Sequence, residues 1–343
     1  MRHAHHRSFD RMILEQALEL HRSGDLAAAE NGYRAYLQSD GDNIDALYLL
    51  GVLRHQLGDY DEAESLLRHV VELVPDHAQY RLVLGGVQLQ RGQDDAARAN
   101  FESALSLDPN CAQAYATLGH LHLRSGDVAQ AETRFSVGRR IQDDDPAMLL
   151  GLGTIYLQRG ETDNAVKFLS RAAQNQPEDA AIQASLGQAL FEQGSYAFAE
   201  QALRNALRLR RDLRLARIYL GRSLIRQDRV EAAREEFATL LKRNDQDPGG
   251  LIGMGDVANR QGHYGRAIKF YRRALAVEPT DPGAALACAA CMERLNDLDA
   301  AVQTLQAALQ HAPAASAELR APLALLLDKL GRRVEARALR KSE

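Results

Sequence analysis

An all-α array of about ten helical hairpins is what this sequence predicts, and three columns of residues predict it. The first column is alanine: Ala29, Ala63, Ala97, Ala131, Ala165, Ala199, Ala233, Ala267 and Ala301 stand 34 residues apart. Ala336 follows after 35, the extra residue falling near Pro313–Ser316. The second column, twelve residues earlier, holds only Gly or Ala, from Ala17, Gly51, Gly85 and Gly119 to Gly221, Gly255, Ala289 and Ala324. The third runs from Gly24, Gly58 and Gly92 to Gly331, with Asp228 and Asn296 in two places. A fixed period in this range marks one supersecondary unit, stacked repeatedly because a single copy cannot bury its own apolar face.

Each element of the unit has its own signal. Asp145-Pro146, Asp247-Pro248 and Asp281-Pro282 open three units: Asp caps free helical N–H groups, and Pro suits the first helical position. Apolar residues then recur at helical spacing, as in Leu47-x-x-Leu50. The Gly/Ala column and the later Ala column let the two helices of a hairpin approach closely. The third column supplies residues that tolerate the left-handed backbone of a tight turn after a helix. Pro75, Pro109, Pro177, Pro279 and Pro313 close units. The units start near residues 10, 44, 78, 112, 146, 180, 214, 248, 282 and 317, after a flexible tail at 1–9. Gln16 and Gly41 depart from the pattern in the first unit, and Arg340 departs from it in the last. That unfinished last unit is expected either of a worn cap or of the front piece of a longer protein.

The composition fits: 45% hydrophobic residues, 26% charged and no Trp. A formal net charge of −4 argues against a general nucleic-acid binder. Three cysteines, Cys111, Cys288 and Cys291, form no disulfide framework, which suits a reducing compartment. Neither a signal-peptide apolar core nor a run of ~18 apolar residues is present, so a cytoplasmic protein without membrane insertion is expected.

The units resemble the tetratricopeptide repeat family, with Leu84-Gly85, Ala97, Phe101, Ala104 and Pro109 carrying its pattern in the third unit. The resemblance covers about residue 10 to the C-terminus. It implies a right-handed superhelical solenoid whose first helices line a concave groove, with positions 2, 5, 9, 12 and 13 of each unit facing a ligand. The twelfth position then gives an apolar strip, Leu123, Leu157, Phe191 and Ile225, joined by Tyr219. Such a strip is either a partner site or ordinary core covered by adjacent helices. The thirteenth position ends in four cations, including Arg226, Arg260 and Arg294. With Arg222 at the ninth, these are expected to hold an acidic group of a partner, because Arg binds carboxylate or phosphate in bidentate fashion. Residues 201–243 carry seven more cations than anions, and residues 40–76 the reverse. Two family binding modes lack their residues. A chaperone-tail clamp needs Lys at position 5 and Asn at position 9, and an asparagine ladder needs Asn at position 6.

Catalytic and cofactor signals are weak. Gly253-x-Gly255-x-x-Ala258 satisfies a dinucleotide fingerprint on paper, yet it lies inside a helix with no strand before it. Cys288-x-x-Cys291 has no second Cys or His pair nearby in sequence, so both read as core residues. His120 and His122 are two apart and point to different faces. The expectation is therefore a non-enzymatic scaffold without cofactor or metal. Its partner is a protein or peptide, apolar with an acidic flank, and self-association through terminal repeats is a further expectation. The alternative is a substrate-recruiting region of, or accessory to, a glycosyltransferase, sulfotransferase or methyltransferase. Leu20-His21-Arg22-x-Gly24 and Ala46-Leu47-x-x-Leu50-Gly51-Val52 resemble arrays found ahead of such domains.

Overall fold

The structure, a computed structural model, describes the backbone of residues 2–311 and 316–341 and the side chains of 12–311 and 317–340. Among the described residues there are helices in consecutive pairs and no strands. The first helices of the pairs are α1 Arg2–Ser23, α3 Ile44–Gln56, α5 Ala78–Gln90, α7 Ala112–Arg124, α9 Pro146–Gln158, α11 Ala180–Glu192, α13 Arg214–Arg226, α15 Pro248–Arg260, α17 Pro282–Arg294 and α19 Ser316–Lys329. The second helices are α2 Leu26–Ser39, α4 Tyr60–Leu73, α6 Asp94–Leu107, α8 Val128–Ile141, α10 Thr162–Asn175, α12 Tyr196–Leu209, α14 Val230–Arg243, α16 Tyr264–Val277, α18 Leu298–His311 and α20 Arg333–Lys341. The residues read as a tail, 1–9, fall largely on the backbone of α1, and their side chains lie outside the described residues. The chain forms two compact units, residues 1–155 and 156–343.

Local chemistry sets the helix ends. Asp25, Asn43, Asp59, Asp127, Asp179, Asp247 and Asp281 each accept a backbone N–H of the first turn they precede. Pro146, Pro248 and Pro282 are the first residues of α9, α15 and α17. The turn column takes positive φ throughout, with Asp228 at 62° and Asn296 at 60° alongside eight glycines. A Cβ built on those eight glycines would meet nothing within 4 Å, so glycine is there for its backbone freedom and not for room.

The Gly/Ala column does the opposite job. A Cβ at Gly187 would come 2.5 Å from Leu203, and one at Gly255 2.5 Å from Tyr271. These bulky partners belong to the second helix of the same hairpin, and they are the core: Tyr33, Leu67, Phe101, Phe135, Leu203, Phe237 and Tyr271 are at most 2% exposed. Burying each such side chain contributes about 1.5–3 kcal/mol. Phe135 also presses on Gly151 and Phe237 on Gly253, each from the hairpin before. The paper fingerprint Gly253-x-Gly255 therefore has a packing explanation: one glycine admits Phe237, the other Tyr271. Arg340, out of pattern in the last hairpin, binds Asp328 at 2.5 Å across α19 and α20.

Candidate functional site

The site is built from the ends of three first helices in the second unit. Arg226, Arg260 and Arg294 are the last residues of α13, α15 and α17, one per hairpin. Cations at helix C-termini are favoured by the helix dipole, so the same position recurs as basic for a local reason. Together with Arg222 they line an open cleft of about 630 Å³, whose apolar wall includes Phe191, Ile225 and Ile252. Six of the nine expected site residues thus meet in one place. Tyr219 lies behind them, its ring 5.4 Å from that of Phe191. Leu157, at the end of α9, and Leu123, in the first unit, are half-buried and line no part of this cleft.

The expected apolar strip is partly covered. Phe191, Tyr219 and Ile225 are packed against the core of the second unit and only partly exposed. The most exposed large apolar side chains are elsewhere: Val334 at 84%, Phe198 at 67% and Leu215 at 60%. Neighbouring helices cover the strip in part, and the aromatic rings serve to orient the arginines. Arg226 lies over the Tyr196 ring at 5.1 Å and donates from Nε to its hydroxyl at 3.0 Å. Arg222 lies 5.9 Å over Tyr219. Cation–π contact of this kind holds a guanidinium in place without neutralising it.

Which cations are neutralised follows from polar straps between consecutive hairpins. Arg91 reaches Asp61, Arg124 reaches Asp94, Gln193 reaches Asp163 and Gln261 reaches Glu231, each thirty residues back. In the basic segment, Arg204 and Arg229 share Glu200, Arg214 binds Asp247 and Arg217 binds Glu236. Glu200 and Asp247 lie just outside residues 201–243 and offset part of the charge excess seen there. The acidic front is offset from outside its own stretch, with Arg34 on Glu62 and Arg91 on Asp61 and Glu64. Arg260 binds Asp228 at 3.0 Å, both largely exposed, so one of the four expected anion holders already has a surface partner. Among the described residues Arg222, Arg226 and Arg294 form no ion pair.

One carboxylate stands among these cations. Asp256, half-buried on α15, accepts a 2.7 Å hydrogen bond from the Tyr271 hydroxyl. Burial raises its pKa, while the Tyr271 hydrogen bond and the nearby charge of Arg222 act the other way. Asp256 stands 34 residues after Arg222, in the same position of the next unit, and its partner Tyr271 lies fifteen residues on.

No metal-binding group of three or more His, Cys, Asp or Glu occurs among the described residues. His120 contacts the Ala147 carbonyl at 3.2 Å, and His122 faces Asp127 at 3.9 Å. Cys288 and Cys291 are buried free thiols, with burial pushing Cys288 up to about 11. No helix among the described residues is long and apolar enough to cross a membrane.

Comparison with known proteins places this geometry. A family model described as the C-terminal domain of cilia and flagella-associated protein 70 matches residues 11–216. A tetratricopeptide repeat model matches residues 190–249 and 258–321. Among solved structures, a tetratricopeptide repeat protein from Parabacteroides merdae is 17% identical with a TM-score of 0.54, covering 67% of this chain and 91% of its own. Pseudomonas aeruginosa pilF is 19% identical with a TM-score of 0.50, covering 60% of this chain and 93% of its own. At these identities the likeness is one of fold. No curated protein matches the chain.

Proposed function

Because this chain belongs to the tetratricopeptide repeat family, whose fold commonly mediates protein–protein interaction, we propose that it is a non-enzymatic scaffold holding an acidic partner segment in the α13–α17 cleft. One observation carries the reading: Arg222, Arg226 and Arg294 line one cleft with no carboxylate bound to them among the described residues, whereas Arg204, Arg214, Arg217 and Arg229 nearby are each paired. Phe191, Ile225 and Ile252 supply apolar contact beside them, so the preferred segment has an apolar residue next to its acids. Guanidiniums held over aromatic rings are oriented before the ligand arrives, which reduces the ordering cost of binding. Action in the cytoplasm belongs to the same proposal.

The test is fluorescence anisotropy of a labelled acidic peptide with the whole chain. The double variant Arg222→Glu with Arg226→Glu is expected to weaken binding at least tenfold, and wild-type affinity to fall as salt rises. Unchanged affinity in the double variant would overturn the proposal.

A further inference from the structure

Among the described residues, Asp256 is the one acid on the wall of the cationic cleft. It takes the place on α15 that Arg222 takes on α13, and these two helices are in contact. The two charges act on each other across the cleft, yet Arg222 forms no ion pair. Asp256 is held from the other side instead. The Tyr271 hydroxyl donates to its Oδ1 at 2.7 Å, and the Tyr271 ring is fully buried against Gly255. The carboxylate is thus anchored to the core, and Arg222 is left open to an incoming anion.

The groups acting on Asp256 come from three helices. Arg222 on α13 favours its charge, as does the Tyr271 hydroxyl on α16, which Asn259 also contacts. Burial and Asp281, the cap of α17, oppose it. Cys291 on α17 is a thiol that burial keeps protonated. Seating a carboxylate on Arg222 shifts this balance twice. It cancels the cation that favours the Asp256 charge, and it brings a like charge into the same cleft; both disfavour the ionised form.

We infer, building on the acidic-segment reading above, that Asp256 is the specificity-determining residue of the cleft: while charged it opposes an anion on Arg222, and it takes up a proton when that anion binds. The proton comes from solvent, and the carboxyl then has an O–H to donate. An acidic segment therefore binds weakly where Asp256 is ionised in both the free and the bound chain, and tightly where it is protonated in both. Affinity falls as pH rises through the window between. A like charge roughly 10 Å away, at the screening of a protein surface, changes an affinity about tenfold.

The test uses the whole chain and a labelled peptide of apolar residues and cysteic acids, whose sulfonates keep their charge throughout the titration. Wild-type affinity is expected to rise about tenfold from neutral pH down through the carboxylate range. Isothermal titration in buffers of different ionisation heat is expected to show proton uptake on binding. Asp256→Asn, folded as judged by its helical circular dichroism, is expected to bind about tenfold tighter than wild type at neutral pH, with a flat pH profile and no proton uptake. Equal affinity of the two at neutral pH, or an equal pH slope, overturns the role of Asp256 and leaves a generic acidic site. Absence of proton uptake by the wild type at every pH overturns it without any variant. No binding of this peptide or of its glutamate counterpart removes the acidic-segment reading as well.

Discussion

Individual residues in this chain fall into those chosen for space and those chosen for backbone, and the two respond oppositely to the same substitution. A Cβ at Gly221 would lie under 3.0 Å from the fully buried ring of Phe237. Gly221→Ala is therefore expected to destabilise the second unit by about 1–3 kcal/mol through overpacking, read from urea unfolding. Gly86 lies in the interior of α5, and a Cβ there meets nothing within 4 Å. Gly86→Ala is expected to stabilise by about 0.5–1 kcal/mol, the helix-propensity gain alone. Asp256 makes a third case, because its environment penalises its charge. Its folded pKa is raised by burial, so the native state holds the proton more tightly than the unfolded chain. Stability from this group is full below the unfolded carboxylate value and lost as pH rises through the folded one. Asp256→Asn keeps an acceptor for Tyr271 and is expected to raise Tm at neutral pH. The difference from wild type should vanish as pH falls into the carboxylate range; a constant gain at all pH would exclude the charge as its cause.

At the scale of elements, consecutive hairpins are joined by apolar wedges and by polar straps. Glu64 is the most buried member of the strap system, its side chain 3% exposed, and is bound by Arg68, Arg91 and Gln88. Burial pushes its carboxyl up, but hydrogen bonds from Gln88, Arg91 and Arg68 outweigh this and hold it below the usual range. Arg91→Ala leaves that carboxylate short of a partner and is expected to cost about 3 kcal/mol. In the wild type, the stability from Glu64 is present above the unfolded value and lost as pH falls through the folded one. Acid titration of Tm should show that loss in the wild type and much less of it in Arg91→Ala. The wedges were legible in sequence because Gly, Ala and bulky apolar residues recur at a fixed period. The straps were hidden in plain charge counts. Summing charges over residues 201–243 missed that Glu200 and Asp247, just outside that stretch, sit opposite Arg204, Arg229 and Arg214. Periodicity reveals which positions repeat, but pairing thirty residues apart depends on which turn of each helix meets the next. The same limit explains the apolar strip: spacing put Phe191 and Ile225 on one face, and only packing shows how much of each stays exposed.

For the whole molecule, the cleft and the buried thiols belong to the second unit, whereas Cys111 belongs to the first. Stacked hairpins contact chiefly their neighbours, so stability is a sum of local terms and opening starts where those are weakest. The three cysteines have a consequence in this setting. Cys288 and Cys291 are at most 1% exposed in the core formed by Tyr271, Ala301 and Leu305, and a thiol reagent reaches them only when that core opens. Cys111 is partly exposed and reports on the start of α7. Mass-resolved alkylation over time is expected to give one fast label followed by two slow ones that enter together. Gly221→Ala, although more than sixty residues away in sequence, should hasten the slow pair if the second unit opens cooperatively, and leave it unchanged if each hairpin opens alone. The natural thiols thus make the protein a timer of its own breathing, with no added probe.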